Sequence, residues 1–463
     1  MGAVRLVTEK GQEREPLARV LGDMRPFMLI WLGQLVSGLG SGLTGFALPV
    51  WIYQRTGSAE AFGLLFFAAT APAVLIAPFA GALVDRWDRR TVLIVSDAAA
   101  AATTGLIAVL VVTDTFQLWH LIAISAVASA VGSFAQPAFA AAMGALVPKR
   151  HYTRAAGLLQ TSGAAVGVLT PLVAGVLVTT VGLGGILLFD VATFVVATAT
   201  LLFVRIPRPA QAPGPRRSLA AEAMDGWHFV RGRPGLLYLL LYFPVVNLGS
   251  GMINPLFGPM VLSFATPAQL GAILSFGSVG MLVGGIALST WGGPSRRVRG
   301  LVVGQALVCL CLALIGLRPS LVVVGIGLFL SLTLTPAAQA CSQSIWLSKT
   351  PQEKMGRVFA IRRMLAMSTT PLAALACGPL ADRVFNPMLM PGGALADSVG
   401  RVLGTGPGRG IGLMYLVIAA FILTATGLLY LNPRVRRLED EVPDAAPDEP
   451  PPLRAPRAAP AGA

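Results

Sequence analysis

Long apolar runs dominate this chain, and short polar stretches that carry most of its charge separate them. Twelve runs are long enough to cross a bilayer, whose hydrocarbon core needs roughly 20 apolar residues per helix. They cover residues 26–52, 61–83, 91–112, 118–142, 156–180, 183–204, 235–263, 268–291, 300–317, 319–346, 358–382 and 410–431. Backbone groups in lipid must pair within their own segment, so each run predicts a helix. A transmembrane barrel would instead show short alternating segments. The pattern therefore predicts an all-α polytopic membrane protein. Residues 1–25 are polar and of mixed charge, and they show no signal peptide.

The basic residues orient the spans. With the N-terminus in the cytoplasm, every lysine and arginine falls on the cytoplasmic side except Arg55, Arg318, Arg383, Arg401 and Arg409. That asymmetry predicts a multi-pass protein of the cell membrane with both termini cytoplasmic. Composition agrees: the chain is 55% hydrophobic and only 12% charged, which excludes an ordinary soluble enzyme and a disordered chain. The net charge of +14 does not call for nucleic acid, because it sits in loops that face anionic lipid headgroups. Cys309, Cys311, Cys341 and Cys377 all lie in apolar stretches and read as small buried hydrophobes. Neither a metal site nor a cofactor is expected.

The chain also looks duplicated. A Pro-bearing cytoplasmic linker, 205–234, divides six spans (26–204) from six (235–431), and the Pro-rich end, 432–463, reads as a disordered cytoplasmic tail. Gln136-Pro137-Ala138 in span 4 matches Thr335-Pro336-Ala337 in span 10. Thr170-Pro171-Leu172 in span 5 matches Thr370-Pro371-Leu372 in span 11, and Gly81 after span 2 matches Gly285 after span 8. Three matches in order at nearly one offset argue for an internal repeat, and proline at matched depths predicts matched kinks.

Polar residues in lipid-buried helices face a cavity or a partner helix. Stripes at helical spacing occur in span 1 (Gln34, Ser37, Ser41, Thr44), span 4 (Ser125, Ser129, Ser133, Gln136), span 7 (Asn247, Ser250, Asn254) and span 10 (Ser331, Thr335, Gln339, Ser342). The blander reading has the hydroxyls bonding their own backbone or a neighbouring helix. The cavity candidates are Trp31, Gln34, Ser37, Ser41, Gln136, Asn247, Asn254 and Gln339. Asp97, in the cytoplasmic part of span 3, is the candidate protonation site; its alternative is a structural hydrogen bond. Asp190, placed toward the outer end of span 6, reads as structural. No lysine or arginine is expected in mid-span.

The loop Gly81-Ala82-Leu83-Val84-Asp85-Arg86-Trp87-Asp88-Arg89-Arg90 packs five charges between two spans. Asp85 could accept hydrogen bonds from a helix N-terminus, Arg86, Arg89 and Arg90 could pair with carboxylates, and Gly81 would allow close helix approach. Twelve spans in two repeats with this loop after the second resemble the major facilitator superfamily. Gly81, Leu83, Asp85, Arg86, Arg89 and Arg90 match its signature, with Asp88 in place of the second glycine. Segments 136–148 and 378–387 resemble the macrolide-efflux and enterobactin-exporter branch of drug:proton antiporters. Segment 167–175, with Pro171 and Gly175, resembles the antiporter motif of span 5, with Thr170 in place of a glycine.

The resemblance implies two six-helix bundles that rock about a central site, with spans 1, 4, 7 and 10 lining it. It implies a monomeric exporter of an amphipathic, largely uncharged small molecule, such as a drug, macrolide or siderophore-like metabolite, by proton antiport. The partners are then cargo, protons and membrane lipids. The rival readings are a lipid or lipid-conjugate flippase on the same fold, an importer, and a membrane-embedded receptor or enzyme. An enzyme is disfavoured because His120, His151 and His228 are scattered and no nucleophile motif appears.

Overall fold

In a computed structural model, whose described residues are 22–84, 86–207 and 219–445, the apolar runs form twelve long helices. They are α1 (Arg25–Thr56), α2 (Ala59–Val84), α3 (Arg89–Val112), α4 (Leu118–Leu146), α5 (Tyr152–Thr180) and α6 (Gly182–Phe203). After the linker come α7 (Pro234–Leu262), α8 (Pro267–Trp291), α9 (Arg297–Leu317), α10 (Leu321–Lys349), α11 (Gln352–Leu380) and α12 (Arg409–Leu431). All twelve sequence-predicted spans are present, and among the described residues there is no strand. An even number of crossings leaves both chain ends on one face; the other is called the distal face below.

Each half forms its own bundle. In the first, α1 packs on α5 and α6, α3 on α6, and α2 on α4; in the second, α7 packs on α11 and α12, and α10 on α8 and α9. Arginines at helix starts brace helix ends in each half. Arg90 donates to the Leu201 and Leu202 carbonyls (2.8 and 2.7 Å) at the end of α6. Arg409, buried at the start of α12, donates to the Gly316 and Leu317 carbonyls (3.2 and 2.9 Å) at the end of α9. Helix C-termini leave carbonyls unpaired and carry partial negative charge, so a cation there is favourable.

Three expectations need correction. The prolines do not make matched kinks: α4 is interrupted at Ser133–Phe134, whereas α10 runs unbroken through Pro336. Pro137 falls in the first turn of the second α4 segment, where its missing N–H costs nothing. The linker is not plain connection, since Leu219–Arg231 forms a helix against α11 with Phe229 and Val230 buried. The tail expected to be disordered from 432 is folded as far as Ala445. There Val435 and Leu438 insert into the second bundle, and Glu439 accepts from the Arg297 and Val298 N–H groups (2.9 and 3.2 Å) at the start of α9.

Candidate functional site

The two bundles meet along two seams, α5 against α8 and α2 against α11. Both seams lie toward the distal face, where α8 and α2 begin and α5 and α11 end. At the first, Gly175 packs so tightly that a Cβ would lie 2.7 Å from the Pro267 carbonyl, and Gly271 abuts Pro171. The sequence-predicted pair Pro171 and Gly175 therefore sits on the inter-bundle contact. At the second, Gly63 faces the Ala374 carbonyl and Cys377, and Gly378 faces Ala59 and Glu60. Phe62 of α2 packs on Gly258 of α7 at the same level.

Polar bonds close the second seam at its distal end. Asp382 Oδ2 accepts from Ser58 Oγ (2.8 Å) and from the Glu60 N–H (2.9 Å), so it caps α2 from the opposite bundle. An anion at a helix N-terminus meets unpaired N–H groups and the positive end of the dipole. Arg383 donates through Nε and Nη2 to both oxygens of Glu60, at 2.7 to 3.1 Å. This latch was not singled out from the sequence, although a signal existed. Gly378-Pro379-Leu380-Ala381-Asp382-Arg383 repeats the Gly-x-Leu-x-Asp-Arg of Gly81–Arg86.

On the face with the chain ends the bundles have separate cores. Ile30, Leu93, Ala138 and Leu201 pack within the first, and Val230, Leu236, Trp346 and Val358 within the second. Here lies the first Gly-x-Leu-x-Asp-Arg. Arg86 is exposed, Leu83 is half-buried, and among the described residues a Cβ on Gly81 would meet nothing within 4 Å. Asp85 lies outside the described residues. Among the described residues Arg89 and Arg90 bond helix carbonyls, Arg89 to Ala141 at 2.9 Å, and pair with none of the carboxylates expected. Asp88 caps α3, accepting from the Thr91 N–H at 3.0 Å.

The cavity candidates divide. Gln136 on α4, Asn254 on α7 and Gln339 on α10 have exposed side chains. Others tie helices together. Trp31 Nε1 donates to Ser162 of α5 (2.9 Å), Gln34 Nε2 to Asp97 (3.0 Å) and Asn247 Nδ2 to the Ala366 carbonyl of α11 (2.8 Å). Ser41 and Thr44 donate to Asp190, and Ser37 is buried. The α1 stripe therefore turns largely onto α3 and α6, because helical spacing fixes a shared face but not the neighbour it meets. Asp97 is buried with Gln34 as its side-chain partner.

One residue of interest was missed. Arg362 lies ten residues into α11, about 15 Å along the helix from its start. Its guanidinium sits 5.4 to 5.7 Å from the Phe243, Phe359 and Trp346 ring centres. It donates to Gln343 (2.7 Å) and Ser342 (3.1 Å) of α10, and no carboxylate pairs with it among the described residues. The charge pattern of the sequence counts Arg362 with the cytoplasmic side, whereas it lies within α11. Aromatic faces and amide oxygens replace the water a cation would otherwise lose.

Comparisons with known proteins agree with this architecture. Residues 30–374 match the family model described as Major Facilitator Superfamily. Macrolide efflux protein A of Streptococcus pyogenes is 27% identical over 367 residues, covering 77% of this chain and 90% of that protein. The multidrug efflux pump Tap of Mycolicibacterium fortuitum is 26% identical over 376 residues, covering 77% and 89%. Among solved structures, the fold is similar to a bacterial homologue of the human lysosomal transporter Spinster in an inward-facing, unoccupied conformation. The TM-score is 0.68 at 13% identity, covering 89% of this chain and 97% of that one.

Proposed function

Because the chain belongs to the Major Facilitator Superfamily, we propose that it is a secondary active exporter of the cell membrane, working as a monomer with both termini in the cytoplasm. Its cargo is an amphipathic, largely uncharged small molecule of the macrolide or drug type, and protons move in exchange. The carrying observation is that the bundles join at distal glycine seams while their opposite ends have separate cores. That is one end state of alternating access, and with cytoplasmic termini it is the state that loads cargo from inside.

The exposed amides Gln136, Asn254 and Gln339 offer hydrogen bonds to such a cargo without a fixed charge. Arg362, caged by aromatic rings, offers a single cationic anchor on the α11 side. Asp97 with Gln34 is the candidate proton site near the cytoplasmic ends of α3 and α1. Gly81, Leu83, Asp85, Arg86, Arg89 and Arg90 form the cytoplasmic gate. The names of Macrolide efflux protein A and Tap support the direction and the cargo class.

The test is transport of a radiolabelled macrolide into inside-out proteoliposomes with an interior-acid gradient. Uptake that collapses when the gradient is dissipated is expected. Uptake indifferent to the gradient would remove proton antiport, and normal coupling in Asp97→Asn would remove Asp97 from it.

A further inference from the structure

The hydroxyls of α1 converge on a carboxylate that the transport scheme above leaves unused. Asp190 is 1% exposed. Thr44 Oγ1 donates to its Oδ2 at 2.7 Å, and Ser41 Oγ to its Oδ1 at 3.4 Å. Thr193, one turn along α6, donates to the Asp190 carbonyl at 2.7 Å and stands 3.5 Å from Oδ1. The close approach of α6 to α1 depends on Gly40, where a Cβ would lie 2.7 Å from Asp190 Oδ1.

Position along α1 corrects the depth expected of this residue. Ser41 and Thr44 lie within a turn of the midpoint of Arg25–Thr56, so Asp190 is level with the middle of the longest helix of its bundle, not its outer end. Among the described residues no opposite charge meets it there. The elements packed on α6 are α1, α3 and α5. Between Arg25 and Tyr53, between Asp97 and Val112, and between Arg154 and Thr180, these carry no titratable residue, and α6 has no other.

An unpaired ionised carboxylate at that depth is costly, so a lone structural role would be served better by an amide. Hydroxyl partners change the balance. A serine or threonine O–H donates to a carboxylate and, turned, accepts from a carboxylic acid, so the same partners satisfy both forms. Ser41 is exposed whereas Asp190 is sealed, which makes the Ser41 hydroxyl the outermost of the groups that hold the carboxylate.

We propose that Asp190, held by Ser41 and Thr44, is a second proton-binding site of the transport cycle, at the membrane centre and deeper than Asp97. A proton passes from water at Ser41 to a carboxylate oxygen of Asp190 and returns to water on the other side after the bundles rock. No other bond is made or broken. This rests on the antiport reading and adds where the proton is held.

Two measurements test it. In lipid nanodiscs without cargo, infrared titration should show the carbonyl stretch of a buried protonated carboxyl that Asp190→Asn lacks. In proteoliposomes, gradient-driven macrolide uptake should fall about tenfold or more in Asp190→Asn and partly recover in Asp190→Glu. Wild-type uptake that ignores the gradient would overturn the antiport reading itself. Uptake that follows the gradient equally in wild type and Asp190→Asn would overturn the Asp190 assignment alone, as would a spectrum unchanged by the substitution. A band displaced by sodium but not by potassium would make this a cation site and end the proton assignment. Should Asp190→Asn fail to fold, Ser41→Ala with Thr44→Val keeps the carboxyl and must shift its titration.

Discussion

The two ends of the α2–α11 pair carry the same short pattern in opposite conditions. These helices run antiparallel, and each ends in Gly-x-Leu-x-Asp-Arg: Gly81–Arg86 after α2, Gly378–Arg383 after α11. At the distal face the pattern is engaged. Asp382 caps the first turn of α2, and Arg383 grips Glu60, the second residue of that helix. At the other face the partner helix offers the same arrangement, with Glu353 as the second residue of α11, yet Glu353 and Arg86 are both exposed. The contrast suggests that the conformational state is set by which copy of one device is in use. At the distal face a carboxylate from one bundle caps a helix start in the other.

The heaviest blow to this comparison is steric. Gly378 faces the Ala59 carbonyl at 2.9 Å and the Glu60 nitrogen at 3.0 Å from where a Cβ would stand. Gly378→Val should hold the distal seam apart, abolish transport and make distal positions of α2 and α11 reactive to impermeant thiol reagents in a cysteine-scanned background. An unchanged labelling pattern would mean that the seam does not close the protein. Next in size is Asp382→Asn, which keeps the shape but removes the charge from two hydrogen bonds. Bonds to charged groups contribute roughly 1.5–3 kcal/mol, so a population shift of about tenfold or more toward the distal-open state is expected. Spin-label distances across the distal ends of α2 and α11 would report it. Asp85→Asn should shift the same distances the other way. If both variants move them in one direction, the two copies are not alternatives.

How much of this could be read from the chain depends on what lipid enforces. Span number followed directly, because every crossing must be apolar and helical. Boundaries failed where polar turns continue a helix, as in α11, which starts at Gln352 rather than 358 because Glu353, Lys354 and Arg357 precede the apolar run. Arg362 escaped notice for a related reason. Its tolerance inside a span depends on Phe243 and Trp346, which come from other helices and leave no local trace. The α1 stripe was visible as a stripe, but its partners on α3 and α6 were not, since spacing carries no information about azimuth toward a neighbour. The distal latch was legible in principle, as a repeated hexapeptide. What the sequence withheld was that the second copy closes onto α2, more than 300 residues earlier in the chain, at separations of 322 and 324 residues.

A smaller effect separates bracing within a bundle from latching between bundles. Lys349, at the end of α10 and only 5% exposed, donates to the Glu439 carbonyl (3.0 Å) and the Val442 carbonyl and pairs with Asp444 (3.0 Å), clamping the folded tail. Lys349→Met orphans those acceptors and should cost roughly 2 kcal/mol of stability. The spin-label distances across both faces should stay unchanged, because no bond of the clamp crosses to the first bundle. The Lys349 ammonium, as hydrogen-bond donor, holds the Asp444 carboxyl below its ordinary value. A carboxylate depressed by folding contributes stability at neutral pH that is lost as pH falls through its folded value. Tail docking, followed by limited proteolysis, should therefore hold at pH 7 and loosen only below the usual aspartate range.

The smallest expected effect isolates the two parts of the distal latch. Arg383 is 70% exposed, and its bidentate bond to Glu60 competes with water and salt. Exposed pairs of this kind contribute about 0–1 kcal/mol. Arg383→Gln should accordingly shift the distal distances several-fold less than Asp382→Asn, and the residual wild-type difference should shrink as ionic strength rises past physiological values. Asp382 is half-buried and bonds a backbone N–H, so its contribution should persist in the same salt series. If Arg383→Gln instead matched Asp382→Asn, and salt erased both, the latch would be a surface ion pair. The likeness between the two ends of α2 and α11 would then lie in their arginines rather than in a carboxylate that caps a helix across the seam.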